Sequence, residues 1–128
     1  MTARHAPDPA IARSQLRDRE PICHRAAYGN SREDLEAIVA GDFMEVGASG
    51  RKYSRAFVLD VLERRTGQEP TGSLKVSDFE CSQLAPTIFL ATYLLDQAGR
   101  LSRRATIWEW AAGRWLIRYH QGTPVGPC

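Results

Sequence analysis

Apolar residues recur at helical spacing through the first half of the chain and at strand spacing through the second, and the period changes near Ser73. Pro7-Asp8-Pro9 can open a helix, since proline is tolerated in a first turn. Ile11, Leu16 and Ile22 follow loosely, and Pro21 predicts a break because it lacks a donor and clashes with the turn before it. Ser31 stands as an N-cap ahead of Glu33 and Asp34, and Leu35, Ile38 and Val39 lie at i, i+3, i+4. Gly41 reads as the stop of that short helix. Asp42 to Val46 and Arg51 to Tyr53, around a Gly47–Gly50 turn, predict a hairpin. Ser54 then caps a second helix with Phe57, Val58, Val61 and Leu62 on one stripe, ending at Arg64-Arg65, where cations suit the helix dipole. Gln68 to Ser73 is a Gly/Pro loop.

The second half predicts four strands: Leu74 to Leu84, Ile88 to Leu95, Leu101 to Trp110 and Trp115 to Gln121. Pro86, Asp96–Arg100 and Ala111–Arg114 separate them, and the Gly/Pro run from Gly122 to Pro127 reads as an irregular tail. The order is helices with a small hairpin, then an antiparallel meander. That is an α+β layout with helices on one face of a curved sheet.

Composition narrows the class. The 128 residues suffice for one domain with a real core, and Leu, Ile, Val and Phe together number 27, too many for a disordered chain. A net charge of +2 argues against a nucleic-acid binder, and no apolar run approaches a membrane span. The arginines at 13, 17 and 19 share their helix with Asp18 and Glu20, which reads as a solvated face. Three cysteines without CxxC spacing suggest neither a disulfide framework nor a zinc site, and Cys81 reads as a small buried hydrophobe. The opening residues, Met1 to Pro7, lack a secretory apolar stretch, so the expectation is a cytoplasmic domain.

Three segments carry a family resemblance: Asp42 to Tyr53, Arg104-Ala105-Thr106-Ile107-Trp108, and Trp115 through His120-Gln121-Gly122-Thr123-Pro124. In this order they resemble the domain-of-unknown-function 4440 group of the nuclear transport factor 2-like (SnoaL and ketosteroid-isomerase-like) superfamily. The resemblance runs from about Leu35 to Pro124. It implies a cone-shaped α+β fold, N-terminal helices packed on a strongly bent sheet around a pocket, with residues 31–124 as the domain. Residues 1–30 would be a helical segment of the same unit, and 125–128 a tail. It implies no single activity, because the superfamily spans isomerases, cyclases, dehydratases, binding domains and oligomerisation domains.

The candidate site residues each have two readings. His120 can move or donate a proton in the pocket, or it can satisfy backbone groups at the sheet's end; the second is preferred. Glu45, mid-strand among apolar residues, can act as a general base on a carbon acid, or it can pair with Arg104, which is preferred. Arg104, Thr106 and Trp108 share a strand face and would line a pocket suited to a carboxylated or aromatic ligand, or Trp108 merely packs. Tyr53 supplies a phenolic donor or caps the core, Trp110 and Trp115 read as packing residues, and Asp42 ends the helix–strand corner. The functional expectation is a small-molecule-binding protein without metal or cofactor, with isomerase, cyclase or dehydratase chemistry by proton transfer. The alternative is an interaction or oligomerisation domain, a homodimer joined through the outer face bearing Ala105, Ile107 and Ile117.

Overall fold

A computed structural model describes residues 5–21, 31–65 and 74–126. Three helices, α1 (Pro9–Arg19), α2 (Arg32–Ile38) and α3 (Arg55–Arg65), pack on six strands. The strands are β1 (Val39–Val46), β2 (Lys52–Ser54), β3 (Leu74–Ala85), β4 (Ile88–Gln97), β5 (Arg100–Ala111) and β6 (Arg114–Pro124). They form one curved sheet in the order β2-β1-β6-β5-β4-β3. Every pairing is antiparallel except β1 with β6, which run parallel. The expected α+β layout holds, with the hairpin and the meander fused into a single sheet through that parallel pair.

The caps work as their chemistry dictates. Ser31 Oγ accepts from Asp34 N at 3.1 Å, and Ser54 Oγ accepts from Phe57 N at 3.2 Å. α1 starts at Pro9 and ends at Arg19, just ahead of Pro21. Ala12 and Leu16 bury its inner face, whereas Ile11 is 52% exposed and lies off that stripe. Gly41 does not stop α2. The helix passes directly into β1 at Val39, whose pairing with Ile117 recruits Gly41 into the strand. Asp42 accordingly lies within β1 and pairs with Arg118 at 2.7 Å. Nor is the run after Gln121 irregular: Gly122, Thr123 and Pro124 continue β6 opposite Arg104, Arg103 and Ser102. Pro124 closes the strand, where its missing donor is tolerated. The predicted Ile22 and the 68–73 loop lie outside the described residues.

Alternation places Phe89, Ala91, Tyr93 and Leu95 of β4 with Thr106 and Trp108 of β5 on the concave side, where they are buried. On β6 the phase changes. Trp108 pairs with Ile117 but Ile107 pairs with Tyr119, so Arg118 is an extra, bulged residue. Ile117 and His120, three apart, therefore both turn inward and are 2% and 3% exposed. This removes Ile117 from the outer face, where the sequence had grouped it with Ile107. The outer row is instead Leu90, Ile107, Tyr119 and Met44, cross-strand neighbours on β4, β5, β6 and β1.

α1 is fastened to the sheet by specific polar contacts. Arg13 donates to Phe79 O at 3.1 Å, and Trp115 Nε1 donates to Gln15 Oε1 at 2.8 Å. The Arg13 and Arg17 guanidinium carbons sit 5.5 and 5.6 Å from the Phe79 ring centre, so these arginines stack on an aromatic edge of the core. Among the described residues, no helix is long and apolar enough to cross a membrane.

Candidate functional site

Strand register assembles the site. Tyr53 on β2 lies opposite Glu45 on β1, Glu45 opposite His120 on β6, and His120 opposite Thr106 on β5. In the next cross-strand row, Tyr93 pairs with Arg104 and Arg104 with Gly122. Side chains in adjacent strands of one face lie within reach of one another, so five strands bring these groups to one wall. That wall borders a hollow of about 470 Å³, within the range of ligand pockets.

The opposite wall comes from α3. Phe57, Val58, Val61 and Leu62 all face the hollow. The stripe that sequence periodicity marks as core is partly an uncovered cavity lining, which is why Phe57 is 47% exposed. Phe57 stacks on Tyr53, with ring centres 5.0 Å apart, and so holds the phenol at the rim. Gly47 is needed beneath it: a Cβ there would stand 2.9 Å from the Tyr53 ring.

Four of the six sequence-selected site residues, Glu45, Tyr53, Arg104 and His120, line the hollow. Thr106 lies fully buried beneath them, and its Oγ1 is 2.8 Å from His120 Nδ1. The other ring nitrogen, Nε2, is 3.5 Å from Arg104 Nη1. A guanidinium can only donate, so Nε2 is the nitrogen that can accept from Arg104, while Nδ1 faces the Thr106 hydroxyl. Arg104 Nε donates to Ser102 Oγ at 2.8 Å. The guanidinium lies across Gly122, where a Cβ would come within 2.8 Å of it. The Glu45–Arg104 ion pair expected from the sequence is not among the ion pairs between described residues; the arginine turns to a serine and an imidazole instead.

Trp108 does not reach the hollow. Its ring is buried in the core, and its indole nitrogen donates to Glu20 Oε2 at 3.0 Å. Tyr93 Oη donates to the other carboxyl oxygen of Glu20 at 2.8 Å. Glu20, which the charge pattern assigned to a solvated face, is thus 0% exposed and bridges α1 to β4 and β5. Its position at the residue before Pro21 was the available signal, because a side chain there leaves the helix face. Two buried aromatic donors also demand an acceptor, but neither partner is close in sequence.

Cys81 lies in the same cross-strand direction beyond Ala91, packed against the core. Burial pushes its thiol above the ordinary value, and nearby Arg13 opposes this. It is therefore a poor nucleophile. On the outside, Arg118 is held in its charged form chiefly by its hydrogen bond to Glu109, at 2.6 Å. Among the described residues, no three His, Cys, Asp or Glu side chains gather as a metal site would require.

No family profile and no curated protein matches the chain. Solved structures do resemble it. A candidate dehydratase of the NTF2-like family from Streptomyces avermitilis superposes with a TM-score of 0.72 at 15% identity, covering 94% of this chain and 100% of that one. An NTF2-like protein from Cytophaga hutchinsonii gives 0.66 at 16% identity, covering 88% and 98%. A candidate ketosteroid isomerase from Parabacteroides distasonis gives 0.60 at 15% identity, covering 94% and 90%. The chain has the NTF2-like fold.

Proposed function

We propose that this protein binds a small organic molecule in the hollow and moves a proton on it without a cofactor. The observation that carries the reading is the convergence of Glu45, Tyr53, Arg104 and His120 on one wall, opposite the apolar face of α3. A carboxylate in such a place can abstract a proton from a carbon beside a carbonyl. The oxyanion that develops meets the Tyr53 phenol, a donor held by Phe57, with the Arg104 charge on the same wall. His120, fixed by Thr106, faces Arg104 through Nε2 and so helps to hold the guanidinium in the wall. Isomerisation, cyclisation and dehydration can each proceed with a base and a charge-stabilising donor placed in this way. Two of the structurally similar proteins are described as a candidate dehydratase and a candidate isomerase, which supports the reading. The segments quoted above support a place in the domain-of-unknown-function 4440 group.

The test uses 2-tetralone, a bicyclic ketone with acidic α-hydrogens. Its deuterium uptake from solvent is followed by NMR. The wild type should accelerate uptake above buffer, and Glu45→Gln should slow it by about 10²–10⁴-fold, the range of a lost general base. Uptake no faster than buffer would remove the proton-transfer role. A second reading, a homodimer joined through the convex face, is favoured by the Leu90–Ile107–Tyr119–Met44 row.

A further inference from the structure

The polar groups around Arg104 point to what the hollow holds. Three arginines outside the hollow are paired with carboxylates: Arg32 with Asp60 at 2.7 Å, Arg103 with Asp78 at 2.8 Å, and Arg118 with Glu109 at 2.6 Å. Arg104, the only arginine among the described residues that lines the hollow, has neutral partners instead. Nε is committed to Ser102 and Nη1 to His120, while Nη2, with two N–H groups, has no hydrogen-bond partner among the described residues. The guanidinium also lies against Gly122, in the space that a Cβ there would take. A cation that is partly buried, oriented and short of one acceptor is a preformed seat for an anion.

Two further features set the class. Phe57, Val58, Val61, Leu62 and Leu95 give the hollow one apolar side, which suits a hydrocarbon ring, while Ser49, Tyr93 and Gln97 add polar groups elsewhere in its lining. Glu45 lies on the same wall as Arg104, and its negative charge opposes a dianion such as a phosphate monoester. We infer that the occupant is an aromatic or alicyclic monocarboxylic acid, its carboxylate seated on Arg104 and its ring against α3. This rests on the ligand reading above and refines it. Arg104 then recognises the head group, and Tyr53 is left facing the part that reacts.

Calorimetric titration with 2-naphthoate and its neutral isostere 2-naphthamide tests this. Wild type should bind the carboxylate at least tenfold more tightly. Arg104→Gln should weaken naphthoate about tenfold to a hundredfold, as expected for a lost charge-assisted hydrogen bond, and leave naphthamide nearly unchanged. Arg104→Lys, which keeps the charge but not the fork, should recover part of the loss. Val61→Trp, filling the apolar half, should abolish binding of both. Equal affinities, or a preference that survives Arg104→Gln, would overturn the carboxylate assignment. In that case, loss of both compounds in Val61→Trp would still uphold a ligand in the hollow. If wild type binds neither compound at millimolar concentration, both conclusions fall. Should Arg104→Gln not fold, the wild-type ratio and Arg104→Lys decide.

Discussion

Gly122 and Arg104 compete for one volume. A methyl group at position 122 would lie 2.8 Å from the guanidinium carbon and from Nη1, so the arginine must swing away while the backbone stays put. Because the displaced group is the far end of a flexible side chain, Gly122→Ala should change stability by less than about 1 kcal/mol. Yet it should cost naphthoate at least tenfold in affinity. Paired melting and calorimetry would check this, and unchanged affinity would show that the seat is not where Arg104 now rests. At this scale the sequence was only partly legible. Strand alternation brought out Arg104 and Thr106 on one face, and both do lie there. Glu20 escaped because its partners are 73 and 88 residues away, and no local pattern records contacts of that range.

Among the elements, α1 depends most on a single side chain. Glu20→Ala would take away the carboxylate that accepts from the buried Tyr93 hydroxyl and Trp108 indole. The expected cost is about 2–5 kcal/mol, with amide exchange rising first in α1. Exchange measured residue by residue would show this, and a uniform loss of protection would contradict it. The β4–β5 and β5–β6 hairpins turn on Ala98-Gly99 and Ala112-Gly113, with all four residues at positive φ. Glycine accepts that conformation freely, whereas alanine is strained by its Cβ. Ala98→Asn and Ala112→Asn should each therefore stabilise by about 0.5–1 kcal/mol, readable as a higher melting temperature. Both hairpin positions were evident from the sequence, since Ala-Gly pairs interrupt alternating strands. The role of α3 was not. Periodicity reports which side of a helix is apolar, but not whether protein or empty space lies against it.

For the whole molecule, the order of elements was enough to give the α+β class, because a shift from helical to strand period admits few packings. What it could not give was the parallel join of β1 to β6, a contact between segments more than seventy residues apart. That join brings the hairpin's Glu45 and Tyr53 to His120, so the site exists only in the closed sheet. The convex face leads to a further expectation. Ile107→Lys, at the centre of the outer apolar row, should convert a dimer into a monomer in sedimentation while leaving deuterium uptake by 2-tetralone intact. A monomeric wild type would remove the dimer.

Arg118 is a single additional link in one ribbon, and the chemistry of the interior hangs on it. Were the strand to run straight through Arg118 instead, every residue beyond would rotate half a turn about the strand. The imidazole would then point to bulk water, and a neighbouring phenol would swing into the chamber. Losing the bulge while keeping the residue would thus exchange a proton carrier for a weak acid without changing the sequence. When distant kin are compared position by position, that exchange would be hidden completely.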